Sequence, residues 1–161
     1  MTEPIIFPTS SPSPTERSFS IEALYLKDCS FESPASPAIL GTPNLAPEIK
    51  ITLQTLVNGI RDNPDLNEVV LSVTLEARWQ ERVVFLAEIH QAGVFRTLGF
   101  SDPEKGPLLG AHAPSLLYPY ARELLGSLVS RGGFPPVILQ PMDFDALYRQ
   151  HQTVPANGPT A

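Results

Sequence analysis

The chain has 161 residues, a length that suits one domain, and its 18 prolines are too many for an all-helical fold, so strands and loops must dominate. A formal net charge of -6 gives none of the basic footprint of a nucleic-acid binder, and no apolar run approaches the roughly 18 residues of a membrane span. Cys29 is the single cysteine, which excludes an internal disulfide framework and suits a reducing compartment such as the cytoplasm.

Residues 1–17 are rich in Pro, Ser and Thr and read as a disordered arm; with no Lys or Arg before Arg17, they are neither a signal peptide nor a transit peptide. An alternating pattern then begins, with Phe19, Ile21, Ala23 and Tyr25 on one parity and Ser18, Ser20 and Glu22 on the other, which predicts a half-buried strand to about Phe31. Ser33 to Pro47 carries four prolines and Gly41 and should be a long surface crossover. Three further strands follow: Ile49 to Val57, Val69 to Ala77, and Val83 to Ile89, each with odd-numbered residues inward. Arg61 to Pro64 forms one turn, and Gln80-Glu81 forms another without the Asn-Gly chemistry of a tight hairpin.

Ser101 to Ala113 contains Gly106, Pro107 and Gly110 and allows at most one short helix near Leu108. A longer helix is predicted from Pro119, suited to a first helical turn, to Gly132-Gly133, which can end it. Within it Ala121, Leu124, Leu125 and Leu128 recur at helical spacing. Gly126 costs roughly 1 kcal/mol relative to Ala in such a place. It either marks the close approach of another backbone, as at a subunit interface with Leu124 and Leu128, or is tolerated. Phe134 to Met142 should be an extended connector, Asp143 the N-cap of a final helix containing Phe144, Leu147 and Tyr148, and residues 153–161 a disordered tail. The fold class is α+β: a four-stranded antiparallel meander with C-terminal helices on one face, in a domain spanning 18–152.

The sequence offers little for catalysis. His90, His112 and His151 stand outside any H-E-x-x-H or Cys-x-x-Cys context, and no G-x-x-x-x-G-K-[ST] loop is present, so neither enzyme activity, metal nor other cofactor is expected. The Asp143-x-Asp145 pair lies at a helix start, where capping explains it.

The stretch Y-P-Y-A-R-E-L-L-G-S-L-V-S-R-G-G-F from Tyr118 to Phe134, followed by P-P-V-I-L-Q-P-M-D-F-D-A-L-Y, resembles the signature of the SecB protein-export chaperones. The likeness extends upstream through Y-L-K-D-C-S-F-E-S-P from Tyr25, P-E-I-K from Pro47 and F-L-A-E-I-H-Q-A-G-V-F from Phe85, covering about Phe19 to Tyr148. This resemblance implies an ATP-independent holdase that keeps unfolded precursors competent for export and delivers them to the motor SecA. It also implies a homotetramer, a dimer of dimers with helices between two eight-stranded sheets. Family positions that bind SecA fall here on Asp28, Glu32, Leu86 and Glu88, all even-numbered and therefore expected on the outward sheet face. An apolar client groove is expected from the crossover, with Phe31, Ile39 and Leu45, and from the connector, with Phe134, Val137, Leu139 and Met142. Leu45 stands where the family commonly has an aromatic. A SecB-like chaperone of a toxin–antitoxin pair and a small-ligand-binding α+β domain are the alternatives.

Overall fold

Strand periodicity governs the first two-thirds of the chain and helical periodicity the last third, as the computed structural model shows for the described residues, 16–153. The expectations for the arm before residue 16 and for the tail after 153 fall outside that range. Four strands, β1 (Ser18–Glu32), β2 (Glu48–Ile60), β3 (Asn63–Trp79) and β4 (Arg82–Leu98), precede α1 (Asp102–Pro107), a π turn (Leu108–His112), α2 (Ala113–Arg131) and α3 (Phe144–Thr153). All pairings are antiparallel and the sheet order is β1-β4-β3-β2. β2, β3 and β4 form a meander, and β1 joins the free side of β4. The 33–47 segment must therefore cross from one edge of the sheet to the other, which explains its length.

Odd-numbered residues of β3 and β4 form the centre of the core: Val69, Leu71, Val73, Leu75, Ala77, Phe85, Ala87, Ile89 and Phe95 are all buried. Gln91 shares that face, and its amide donates to the Tyr25 carbonyl at 3.1 Å, so its burial leaves the side chain satisfied. Simple parity fails at three places, each a register shift. Between Ile21 and Ala23 the shift sends Ala23 and Tyr25 outward and turns Leu24 and Leu26 toward the helices; a second, between Leu26 and Asp28, restores the original phase. In β4 the shift opposite Ala77/Arg78 buries Val84, where the alternation had placed Val83. The Gln80-Glu81 turn does connect β3 to β4, with φ of 47° and 64°, the double positive φ of a type I′ geometry carried by residues poorly suited to it.

The helical region is longer than its prolines and glycines suggest. Helix α1 opens with a capping box, Ser101 with Glu104, and the π turn joins it directly to α2 through an Ala113 N–H to Leu108 carbonyl bond. Pro114 occupies the first turn of α2, whereas Pro119 lies inside the helix. Gly106 and Gly110 lie within this helical run, and the absence of a side chain at each makes room for Tyr148 of α3. A Cβ on Gly110 would stand 2.5 Å from the Tyr148 ring, and one on Gly106 2.6 Å from its hydroxyl. Helix α2 buries Leu117, Tyr118, Ala121, Leu125 and Val129 over β3 and β4. Asp143 caps α3, its Oδ1 accepting from the Ala146 N–H at 2.9 Å.

Candidate functional site

Helix α2 covers the middle of the sheet and leaves β2 largely bare. On β2 the odd residues Ile49, Ile51, Leu53, Thr55 and Val57 pair in register with Ala77, Leu75, Val73, Leu71 and Val69, so they continue the core face. Ile51 and Val57 are nonetheless exposed. An apolar track therefore runs along the uncovered edge, with a groove at each part of it.

The first groove, about 400 Å³, lies between the crossover and the connector and is lined by Leu40, Leu45, Ile49, Phe134 and Val137, among others. Its floor rests on an aromatic series in which Phe31 stacks on Phe85 at 5.9 Å and Phe85 meets Phe134 at 5.1 Å. Phe31 also lies across Gly132, where a Cβ would come within 2.3 Å of its ring. The connector is held open beside α2 because the Tyr118 hydroxyl donates to the Gln140 carbonyl at 2.6 Å, and burial raises the pKa of that phenol. The second groove, about 930 Å³, runs between β2 and α3 and is lined by Ile51, Leu53, Val57, Met142, Phe144, Leu147 and Tyr148, with polar residues among them.

Of the residues expected to form one client groove, the structure brings Leu45, Phe134 and Val137 together at the first. Phe31 lies beneath it, and Met142 belongs to the second. Ile39 and Leu139 are each 3% exposed and are core residues, since the short helical turn at Ala38–Gly41 and the connector point them inward. Leu40 and Ile138, at 49% and 81% exposure, are the adjacent side chains that face out. The β2 residues escaped the sequence reading because their alternation marks them as core, and only the absence of a covering helix leaves them open. Leu124 and Leu128 pack partly against the core of their own chain. The backbone that approaches Gly126 is this chain's own connector: the Val137 carbonyl oxygen lies 3.8 Å from where a Cβ would sit.

The opposite sheet face is mostly polar, around a small apolar patch in which Leu56, Val70 and Ala92 lie in register. Asp28 pairs in register with His90, Ser30 with Glu88 and Glu32 with Leu86, so Asp28, Glu32, Leu86 and Glu88 share this outer face. Their common side survives because the two shifts in β1 cancel. His90 Nε2 lies 2.5 Å from Glu88 Oε1. Farther along, Glu68 of β3 accepts from the Lys27 ammonium at 2.7 Å, from Asn58 Nδ2 at 3.1 Å and from the Tyr25 hydroxyl. The Lys27 and Tyr25 hydrogen bonds hold the Glu68 carboxyl down at about 2, while burial and the neighbouring carboxylate push Tyr25 up to about 12. Among the described residues, no group of His, Cys, Asp and Glu side chains is arranged to hold a metal ion, and no helix is long and apolar enough to cross a membrane.

Comparison with known proteins agrees with this architecture. The family model for the preprotein translocase subunit SecB matches residues 12–154. The protein-export protein SecB of Methylococcus capsulatus is 47% identical over 135 residues, covering 84% of this chain and 85% of that protein. That of Nitrosococcus oceani is 44% identical over 135 residues, covering 83% and 81%. A solved SecB-like chaperone of Mycobacterium tuberculosis, in complex with a ChAD peptide from an antitoxin, superposes with a TM-score of 0.62 at 19% identity, over 77% of this chain and 87% of that one. At that identity the likeness is one of fold.

Proposed function

The chain belongs to the SecB family of protein-export chaperones, and from that premise we propose that its two sheet faces divide the work of holding a client and passing it on. The open apolar track from Leu45, Phe134 and Val137 through Ile49 to Ile51 and Leu53 is the observation that carries this reading. An unfolded precursor presents extended apolar segments, and burying them against such a track needs no exact sequence. Holding requires neither nucleotide nor bond chemistry.

Delivery uses the other face. Asp28, Glu32 and Glu88 meet the basic C-terminal segment of SecA through charge complementarity, and Leu86 contributes apolar contact beside them. Assembly as a cytoplasmic homotetramer, a dimer of dimers, multiplies the grooves available to one long client, so that weak sites act together. The partly covered Leu124 and Leu128 and the glycine at 126 lie on the helix that would meet a second dimer.

Purified protein should delay the refolding of an exported precursor and suppress its aggregation, with no change on adding ATP, and light scattering should give the mass of a tetramer. Failure to delay refolding for several precursors would remove the holdase reading. A monomer at micromolar concentration would remove the tetramer.

A further inference from the structure

The β1 register shift next to Lys27 has a consequence for the charge of the outer face. Lys27 falls between Leu26, in register with Gln91, and Asp28, in register with His90, so it is the extra residue of the shift. A residue at such a bulge can share a face with its neighbour, and here the Lys27 ammonium and Asp28 both lie on the outer side. Its flexible four-carbon stem gives the ammonium two carboxylates to choose between: that of the adjacent Asp28, and that of Glu68 two strands away. It lies 2.7 Å from Glu68.

Glu68 is prepared for this role. Its side chain is 15% exposed against 46% for Lys27, and it is fixed from two further positions by Tyr25 and by Asn58. Two guanidinium groups of this face are similarly engaged: Arg96 by Glu22 at 2.6 Å, and Arg78 by Glu76. Asp28 and Glu32 stand in none of the ion pairs among the described residues, and Glu88 has only His90. Three cations of this face, Lys27, Arg78 and Arg96, are thus held by carboxylates other than Asp28, Glu32 and Glu88, while Lys50, in register with Glu76, stands in none of these ion pairs.

We propose that Glu68 is a positioning residue that draws the Lys27 ammonium off Asp28 and thereby keeps the acidic face from neutralising itself. The inference rests on the reading of that face as the site for a basic partner, and it adds a requirement that the partner-facing residues alone do not contain.

A double-mutant cycle tests it, with titration calorimetry at low ionic strength and the zinc-loaded basic C-terminal segment of SecA as the probe. Glu68→Gln should weaken binding about two- to fivefold, the worth of one exposed ion pair gained by Asp28. Lys27→Met should recover that loss in the E68Q background yet change the native protein by a clearly smaller factor, because there the ammonium is already held away. An equal effect of K27M in both backgrounds would mean that charges merely sum, and would overturn the inference while leaving the face intact. Absence of any binding by the native protein would instead overturn the reading of the face, and the inference with it. Should E68Q fail to fold, the combined Tyr25→Phe and Asn58→Ala variant loosens Glu68 at constant net charge. A loss of affinity that K27M reverses then supports the proposal, and unchanged affinity overturns it.

Discussion

The two faces of the sheet are built from the same four strands, yet one is apolar and half covered by helices while the other is mostly polar and carries none. On the inner face α2 lies over β3 and β4, and Leu71, Leu75 and Ile89 are fully buried. Along β2 the same face continues as Ile51 and Val57 without a covering element. The outer face is held by side-chain pairs that cross strands, of which Glu68 with Lys27 and Asn58 is the most connected. An incomplete cover leaves a groove on one side, and paired and unpaired charges share the other.

The largest effect that can be imposed on this contrast comes from the point where core and groove share a residue. Phe85 is 1% exposed and stacks between Phe31 and Phe134. Phe85→Ala should lower stability by about 3–5 kcal/mol in chemical denaturation, through lost burial and a cavity beneath the groove. A loss below about 1 kcal/mol would show that the floor relaxes and that groove and core are mechanically separate. A smaller effect is expected where the π turn meets α3. Gly110→Val must displace Tyr148 from the helix surface and should destabilise by about 1–3 kcal/mol while loosening the wall of the second groove. Faster amide exchange confined to α3 and its neighbours would be the signature; an unaltered exchange profile would show that the ring moves aside freely.

The smallest effect is expected where neither face is touched. Gln80 and Glu81 both hold positive φ, a conformation that Asn and Gly adopt more readily. Replacing them with Asn-Gly should raise stability by about 1 kcal/mol in a thermal or denaturant titration, with client and partner binding unchanged. Destabilisation would mean that the turn is not of type I′.

Element order, sheet parity in β3 and the cap at Asp143 were legible in the sequence because each depends on local chemistry: alternation, or an acidic side chain before a helix. What was not legible depended on contacts distant in sequence. Gly106 and Gly110 look like loop residues until Tyr148 is placed against them, and Pro119 looks like a helix start until Pro114 is seen at the true first turn. The outer position of Asp28 and Glu32 agreed with odd–even alternation only because two register shifts in β1 cancel; Ala23 and Tyr25, between those shifts, did not agree. In the groove, Ile39 and Leu139 are apolar residues in the right segments with the wrong orientation, whereas Leu40 and Ile138 beside them face solvent. Composition identifies a segment that lines a surface, but only packing decides which of two neighbours turns toward it.

Separation of the two faces is tested most directly by measuring both binding activities on two single variants of the folded assembly. Val137→Asp places a charge in the first groove, where client binding would have to desolvate it, and should weaken binding of an unfolded precursor about tenfold or more. Its affinity for the SecA segment should stay within a factor of about two. Glu32→Lys sets a positive charge on the outer face and should do the reverse, weakening the SecA segment about tenfold and making the residual binding less sensitive to salt, with client affinity unchanged. Equal impairment of both activities by both variants, in protein that remains folded and assembled, would contradict the division of labour between the faces.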